Sequence, residues 1–87
     1  MPARVVVYRT TYCAYCLAAC ALLRKRGILF DEIDVTADSE ARAALVVKAE
    51  GRRQVPQIFI DDLPIGGYTD LRALDASGQL AELLAVG

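Results

Sequence analysis

Thr10-Thr11-Tyr12-Cys13-Ala14-Tyr15-Cys16 is the stretch on which the reading of this chain turns. On its N-terminal side, Val5 to Tyr8 is a β-branched, apolar run that predicts a buried strand. On its C-terminal side, Leu17 to Arg26 holds good helix formers, closes with the basic turn Arg24-Lys25-Arg26 and stops at Gly27. The Cys-x-x-Cys pair therefore falls where a strand passes into a helix, with both thiols at or just inside the helix N-terminus. Free N–H groups and the positive end of the helix dipole favour a thiolate there. A thiolate is the attacking species in disulfide exchange, and a second thiol two residues on can resolve the mixed disulfide, so the pair points to thiol–disulfide chemistry. Cys13, nearest the helix start, is the expected nucleophile. Cys16, nearly a turn deeper, is the expected resolving thiol, more shielded and of higher pKa. Cys20 lies one turn further, in an alanine- and leucine-rich segment, and reads as a small buried hydrophobe.

With 87 residues the chain is expected to form one small domain. A hydrophobic content of 55% and a charged content of 24% fit a soluble globular protein and argue against disorder. A formal net charge of −1 excludes a general nucleic-acid footprint. The basic residues are local, Arg24 to Arg26 at a helix end and Arg52-Arg53 in a turn, and read as solvated faces or helix caps. No apolar run approaches the length of a membrane span. Met1-Pro2-Ala3-Arg4 leads directly into the first strand without an apolar leader, so a cytoplasmic location is expected. In that compartment a Cys-x-x-Cys pair is catalytic or metal-binding more often than it is a structural staple. A structural zinc site needs four Cys or His ligands, whereas this chain has no His and three cysteines, so no self-contained zinc site is expected.

Beyond Gly27, Ile28 to Val35 predicts a second strand, partly alternating and suited to a sheet edge, completing a parallel βαβ unit. Thr36 or Asp38 can cap a second helix over Ser39 to Glu50, ended by Gly51. Gln57-Ile58-Phe59-Ile60 and Leu63-Pro64-Ile65 read as the strands of a hairpin turned at Asp61-Asp62, with Pro64 where no ladder N–H is required. Gly66-Gly67 breaks the pattern, and Tyr68 to Ala76 and Gly78 to Val86 close the chain as two helices. The order β-α-β-α-β-β-α, its last helix doubled, implies an α/β fold with a four-stranded mixed sheet flanked by helices.

Three motifs in this order make the chain similar to a known family over essentially its full length. They are Cys13-Ala14-Tyr15-Cys16 on the first helix, Val55-Pro56-Gln57-Ile58-Phe59-Ile60 entering the third strand, and Gly66-Gly67-Tyr68-Thr69-Asp70-Leu71 opening the third helix. On them the chain resembles the glutaredoxins, specifically a bacterial-type dithiol member, and the resemblance implies the thioredoxin-like fold. It further implies a cis peptide bond before Pro56, facing the cysteines, with the Val55 backbone free to pair with the cysteinyl backbone of bound glutathione. Gly67, Thr69 and Asp70 would receive the γ-glutamyl end, amides holding its carboxylate and Asp70 its ammonium. Tyr15 would line the groove beside the nucleophile.

The chain also departs from the family pattern. Ala14 stands where proline is commonest, Thr10 where a lysine is usual, and Gln54 where a threonine precedes Val-Pro. Arg9, Lys48 and Arg53 are therefore the candidates for the charge on the glycyl carboxylate, with Gln54 offering a side-chain amide. The resemblance implies glutathione as co-substrate, glutathionylated or disulfide-bonded proteins as partners, and a monomer. Some relatives with a small residue at the position of Ala14 hold a two-iron two-sulfur cluster between two protomers, with glutathione supplying further thiolates, so the resemblance makes Cys13 a candidate cluster ligand in a dimer as a secondary state. Two further functions compete: a redoxin of the same shape reduced by thioredoxin reductase to serve ribonucleotide reductase, and an iron–sulfur carrier or sensor.

Overall fold

The computed structural model describes residues 4–11, 13–52 and 54–85. Its elements run β1 (Val5–Arg9), α1 (Ala14–Lys25), β2 (Asp31–Asp34), α2 (Ser39–Lys48), β3 (Gln57–Ile60), β4 (Leu63–Gly66), α3 (Tyr68–Ser77) and α4 (Gln79–Ala85). The strands form one sheet in the order β2-β1-β3-β4. The β1/β2 pair is parallel, and β1/β3 and β3/β4 are antiparallel, which gives the mixed sheet expected from the order of elements.

Alternation along the strands divides the core into two clusters, one on each face of the sheet. On one face Val5 and Val7 of β1 and Ile58 and Ile60 of β3 meet Ala19, Cys20 and Leu23 of α1, together with Leu71 of α3 and Leu80 of α4. The buried positions of α1, Cys16, Ala19, Cys20 and Leu23, recur at the spacing of a single helix stripe. On the other face Phe59 packs with Val35, Leu45 and Ala49 under α2, and Tyr8 and Val55 close around it.

Helix α1 starts at Ala14, which puts the cysteines at the helix N-terminus as expected, and Cys13 itself serves as the N-cap, its sulfur accepting the Cys16 N–H at 3.2 Å. At the other end the Gly27 N–H bonds to the Arg24 carbonyl at 3.0 Å and the Ile28 N–H to the Leu23 carbonyl at 2.9 Å. Gly27 adopts φ +70°, so the pair forms a left-handed helix stop. Ile28 thus completes the helix stop, and β2 is shorter than the expected Ile28–Val35 run. All four β2 residues are exposed, as suits an edge. Of the two candidate caps for α2, Asp38 is the one used, accepting the Ala41 N–H at 2.9 Å. The Asp61-Asp62 turn has positive φ at both residues, the geometry of a tight hairpin. Pro64 pairs with Phe59 at a register shift, which accommodates its missing N–H.

Candidate active site

The parallel strands β1 and β2 end side by side, Arg9 opposite Asp34, so the loop that carries the cysteines leaves the sheet beside the loop into α2. Cys13 is partly exposed at the tip of α1, and Cys16 is wholly buried beneath it. Both are free thiols. The Cys13 thiol donates to the Val55 carbonyl at 3.4 Å, so the cysteine tip of α1 meets the loop before β3. The Val55–Pro56 peptide bond in that loop is cis, as the family resemblance implied. The loop is anchored from behind by the buried Gln57, whose amide donates to the Gln54 carbonyl at 2.8 Å.

Next to Cys13 opens a groove of about 400 Å³. Tyr15 and Tyr68 form one wall, their ring centroids 6.1 Å apart. Gln54, Val55, Pro56 and Gln57 form the floor, and Gly67, Thr69 and Asp70 close the far end. At that end the Asp70 carboxylate accepts the Gly67 N–H at 3.0 Å and pairs with the Arg52 guanidinium at 3.0 Å. The Gly67 amide, aided by Arg52, holds the Asp70 pKa below the usual carboxylate range, so the far end keeps its negative charge in mild acid.

Tyr15, Gln54, Val55, Pro56, Gly67, Thr69 and Asp70 thus gather in one groove. Arg9 does not join them. It follows Val5 and Val7 on the α1 face of β1, and its guanidinium bonds to Glu32 of β2 at 2.9 Å. Because β2 and β3 flank β1 on opposite sides, that ion pair draws Arg9 away from the groove. Lys48 is likewise elsewhere, its ammonium 3.2 Å from the Tyr8 hydroxyl and stacked over the Tyr8 and Phe59 rings. Arg53 lies outside the described residues. The cation that does line the groove is Arg52, which the composition placed on a solvated turn. Its only sequence signal is proximity to Gln54; the pairing with Asp70 is made by tertiary contact.

Burial pushes the Cys16 pKa up to about 12, with the hydrogen bond to Cys13 adding to the rise and the Thr10 backbone opposing it. Cys20 is buried as expected and is pushed up to about 11 by burial and by Glu32, to whose carboxylate its thiol donates at 3.2 Å. Both thiols hold their protons more tightly in the folded chain than in the unfolded one. Their contribution to stability is therefore complete below the ordinary thiol range and is lost as the pH rises through that range toward the folded values. The urea midpoint is expected to fall between pH 8 and pH 10.5, and Cys20→Ala should flatten the fall. An unchanged slope in that variant would contradict this account of Cys20.

Among the described residues no cluster of three or more Cys, Asp or Glu is arranged to hold a metal ion. A redox Cys-x-x-Cys at a helix start, set against a cis-proline loop on a four-stranded mixed sheet, defines the thioredoxin-like class of thiol proteins. Within that class, the family model described as Glutaredoxin matches residues 5–65. The chain is 45% identical over 82 residues to "Probable glutaredoxin ssr2061" of Synechocystis sp., covering 94% of this chain and 93% of that protein. It is also 45% identical over 82 residues to "Glutaredoxin 3" of Escherichia coli, covering 94% and 98%. Among solved structures it superposes on the buckwheat glutaredoxin–glutathione complex with a TM-score of 0.85 at 30% identity, covering 95% of this chain and 77% of that one. The chain belongs to the glutaredoxin family and is a thiol–disulfide oxidoreductase of that family.

Proposed function

We propose that this protein is a glutathione-dependent reductase of protein–glutathione mixed disulfides and of protein disulfides, with Cys13 as nucleophile and Cys16 as resolving thiol. The observation that carries this reading is the groove itself. One end meets a partly exposed thiol at a free backbone edge, and the other end holds an acid, a guanidinium and helix-terminal amides. A short thiol peptide with a zwitterionic end is complementary to that arrangement. The glutathione bound in the buckwheat relative supports the same ligand.

In the proposed cycle the Cys13 thiolate attacks the glutathionyl sulfur of the substrate. The Cys13–glutathione bond forms as the substrate bond breaks, and the target protein leaves as a thiolate that takes up a proton. Loss of the Cys13 proton also frees the Val55 carbonyl for an N–H of the docked glutathione. A second glutathione thiolate then attacks the glutathionyl sulfur and releases oxidised glutathione, regenerating Cys13. The high Cys16 pKa keeps that thiol protonated in the meantime, which favours the external attacker. Once Cys13 is tied in a disulfide, it no longer raises the Cys16 pKa by hydrogen bond or charge, so Cys16 becomes more acidic when it is needed to resolve a protein mixed disulfide.

A coupled assay tests the reading. Turnover with glutathione and glutathione reductase supports it, and turnover with thioredoxin reductase alone overturns it. Within that assay Asp70→Asn, which keeps an acceptor for Gly67 but removes the charge, should raise KM for a glutathionylated peptide about tenfold with kcat little changed. An unchanged KM would remove Asp70 from the binding site.

A further inference from the structure

Among the described residues Gln57 is the only buried polar side chain, 2% exposed, and it lies directly after Pro56 at the floor of the groove. Its main chain is fixed in the sheet, where Gln57 of β3 pairs with Tyr8 of β1. Its side-chain amide turns back along the loop and meets the Gln54 carbonyl at 2.8 Å. A carbonyl only accepts, so the amide end that faces it is the nitrogen. The amide oxygen is left buried with no partner among the described residues. A half-satisfied amide is a poor core residue. An oxygen buried without a donor destabilises the fold, and an apolar side chain of the same length carries no such penalty. Core stability therefore does not explain this side chain, and its hold on the Gln54 peptide offers the better account.

The Gln54 carbonyl and the Val55 N–H belong to one planar peptide unit. That unit is trans, because the cis bond of this loop is the next one, Val55–Pro56. In a trans unit the C=O and the N–H point in opposite directions. With the carbonyl held by a buried amide, the N–H is turned the other way, at a residue that is partly exposed and lines the groove. Pro56 has no N–H, and the Val55 carbonyl receives the Cys13 thiol at 3.4 Å. The Val55 N–H is therefore the donor that this edge has to offer beside Cys13.

We infer that Gln57 is a positioning residue: by holding the Gln54 carbonyl, it aims the Val55 N–H at a backbone carbonyl of the thiol peptide docked against Cys13. The inference deepens the proposed glutathione reading and rests on it. A Gln54 peptide released from Gln57 is free to turn its carbonyl into the groove, where it would face the ligand carbonyl, acceptor against acceptor. Gln57 acts from beneath the loop and through Val55, so its effect falls on docking and not on the chemistry at the Cys13 sulfur.

The test is binding of S-methylglutathione, which cannot enter disulfide exchange, to the whole protein by calorimetry. Gln57→Met keeps the length of the side chain and removes both the donor and the unpartnered oxygen. It should weaken binding about tenfold, the scale of one aligned hydrogen bond, while the urea midpoint stays equal to the parent's or rises. Release of thionitrobenzoate from Cys13 by external dithiothreitol, measured in a Cys16→Ser background, should stay within about twofold, because that attack requires no docked peptide. A second measurement needs no substitution at Gln57. In the free parent the Val55 amide hydrogen should exchange rapidly with solvent, and S-methylglutathione should slow that exchange at least about tenfold. Unchanged binding in Gln57→Met overturns the inference, and so does a Val55 amide already protected in the free protein. Binding and stability lost together, or thiol release slowed in step with binding, would overturn it as well, by making Gln57 a structural residue only. If the parent itself bound no S-methylglutathione, the glutathione reading would fall, and the inference with it.

Discussion

Cys13→Ser is expected to abolish turnover with both glutathionylated peptides and protein disulfides, a loss of about a thousandfold or more. Cys13 is the one cysteine of the three that reaches solvent; Cys16 and Cys20 are 0% and 1% exposed, and neither can replace it as the attacking sulfur. A serine would keep the cap on the Cys16 N–H but supplies a hydroxyl that does not ionise near neutral pH. Cys16→Ser should behave differently, retaining glutathionyl transfer while losing reduction of protein disulfides by the two-thiol route. Steady-state rates with the two substrate types, measured side by side, decide the assignment. Residual turnover in Cys13→Ser above a few per cent, with Cys16→Ser inactive, would exchange the two roles.

Gly66→Ala is expected to damage both the groove and the fold. Gly66 sits at the end of β4 with φ +116°, a conformation that side chains rarely adopt. A Cβ there would also collide with the Arg52 guanidinium and the Asp70 carboxylate, the charge pair at the far end of the groove. The backbone conformation alone costs about 1–3 kcal/mol. Relief of the collision must displace Arg52 or Asp70, which would raise KM for glutathione at least about tenfold. Denaturant melts and the coupled assay on one preparation check both effects. Gly27→Ala is the comparison: it also has positive φ, but an added Cβ there meets nothing within 4 Å. It should lose stability without changing KM. A Gly66→Ala protein with unaltered KM would remove the Arg52–Asp70 pair from the ligand site.

Much of this was legible from residue order. The Cys-x-x-Cys pair between an apolar run and a helix-forming run located α1, and a short apolar run followed by a tight-turn signal located β3 and β4 to the residue or within one. Local chemistry sets those features, so they can be read locally. Arg9 shows where such reading stops. Its proximity to Cys13 in the chain made it a groove candidate, yet strand alternation turns it toward α1 and Glu32 claims it. Arg52 is the opposite case, remote from the cysteines in sequence but lining their groove. Thr36 was weighed as a helix cap, a role Asp38 fills, which leaves its hydroxyl to hold Thr11.

By itself, then, the amino-acid sequence determined that the protein carries a redox dithiol at a helix start, on a mixed α/β sheet of the thioredoxin-like kind. Those properties follow from spacing, hydrophobic period and turn chemistry within short windows. The tertiary structure alone decided which charges line the groove beside Cys13 and which do not, and which neighbouring loop bonds to the cysteine loop. The partners concerned, Arg9 with Glu32, Arg52 with Asp70, and Thr11 with Asp34 and Thr36, are 18 to 25 residues apart in the chain. The first and third meet because the parallel register of β1 and β2 ends both strands side by side, and the second because the turn after α2 meets the start of α3.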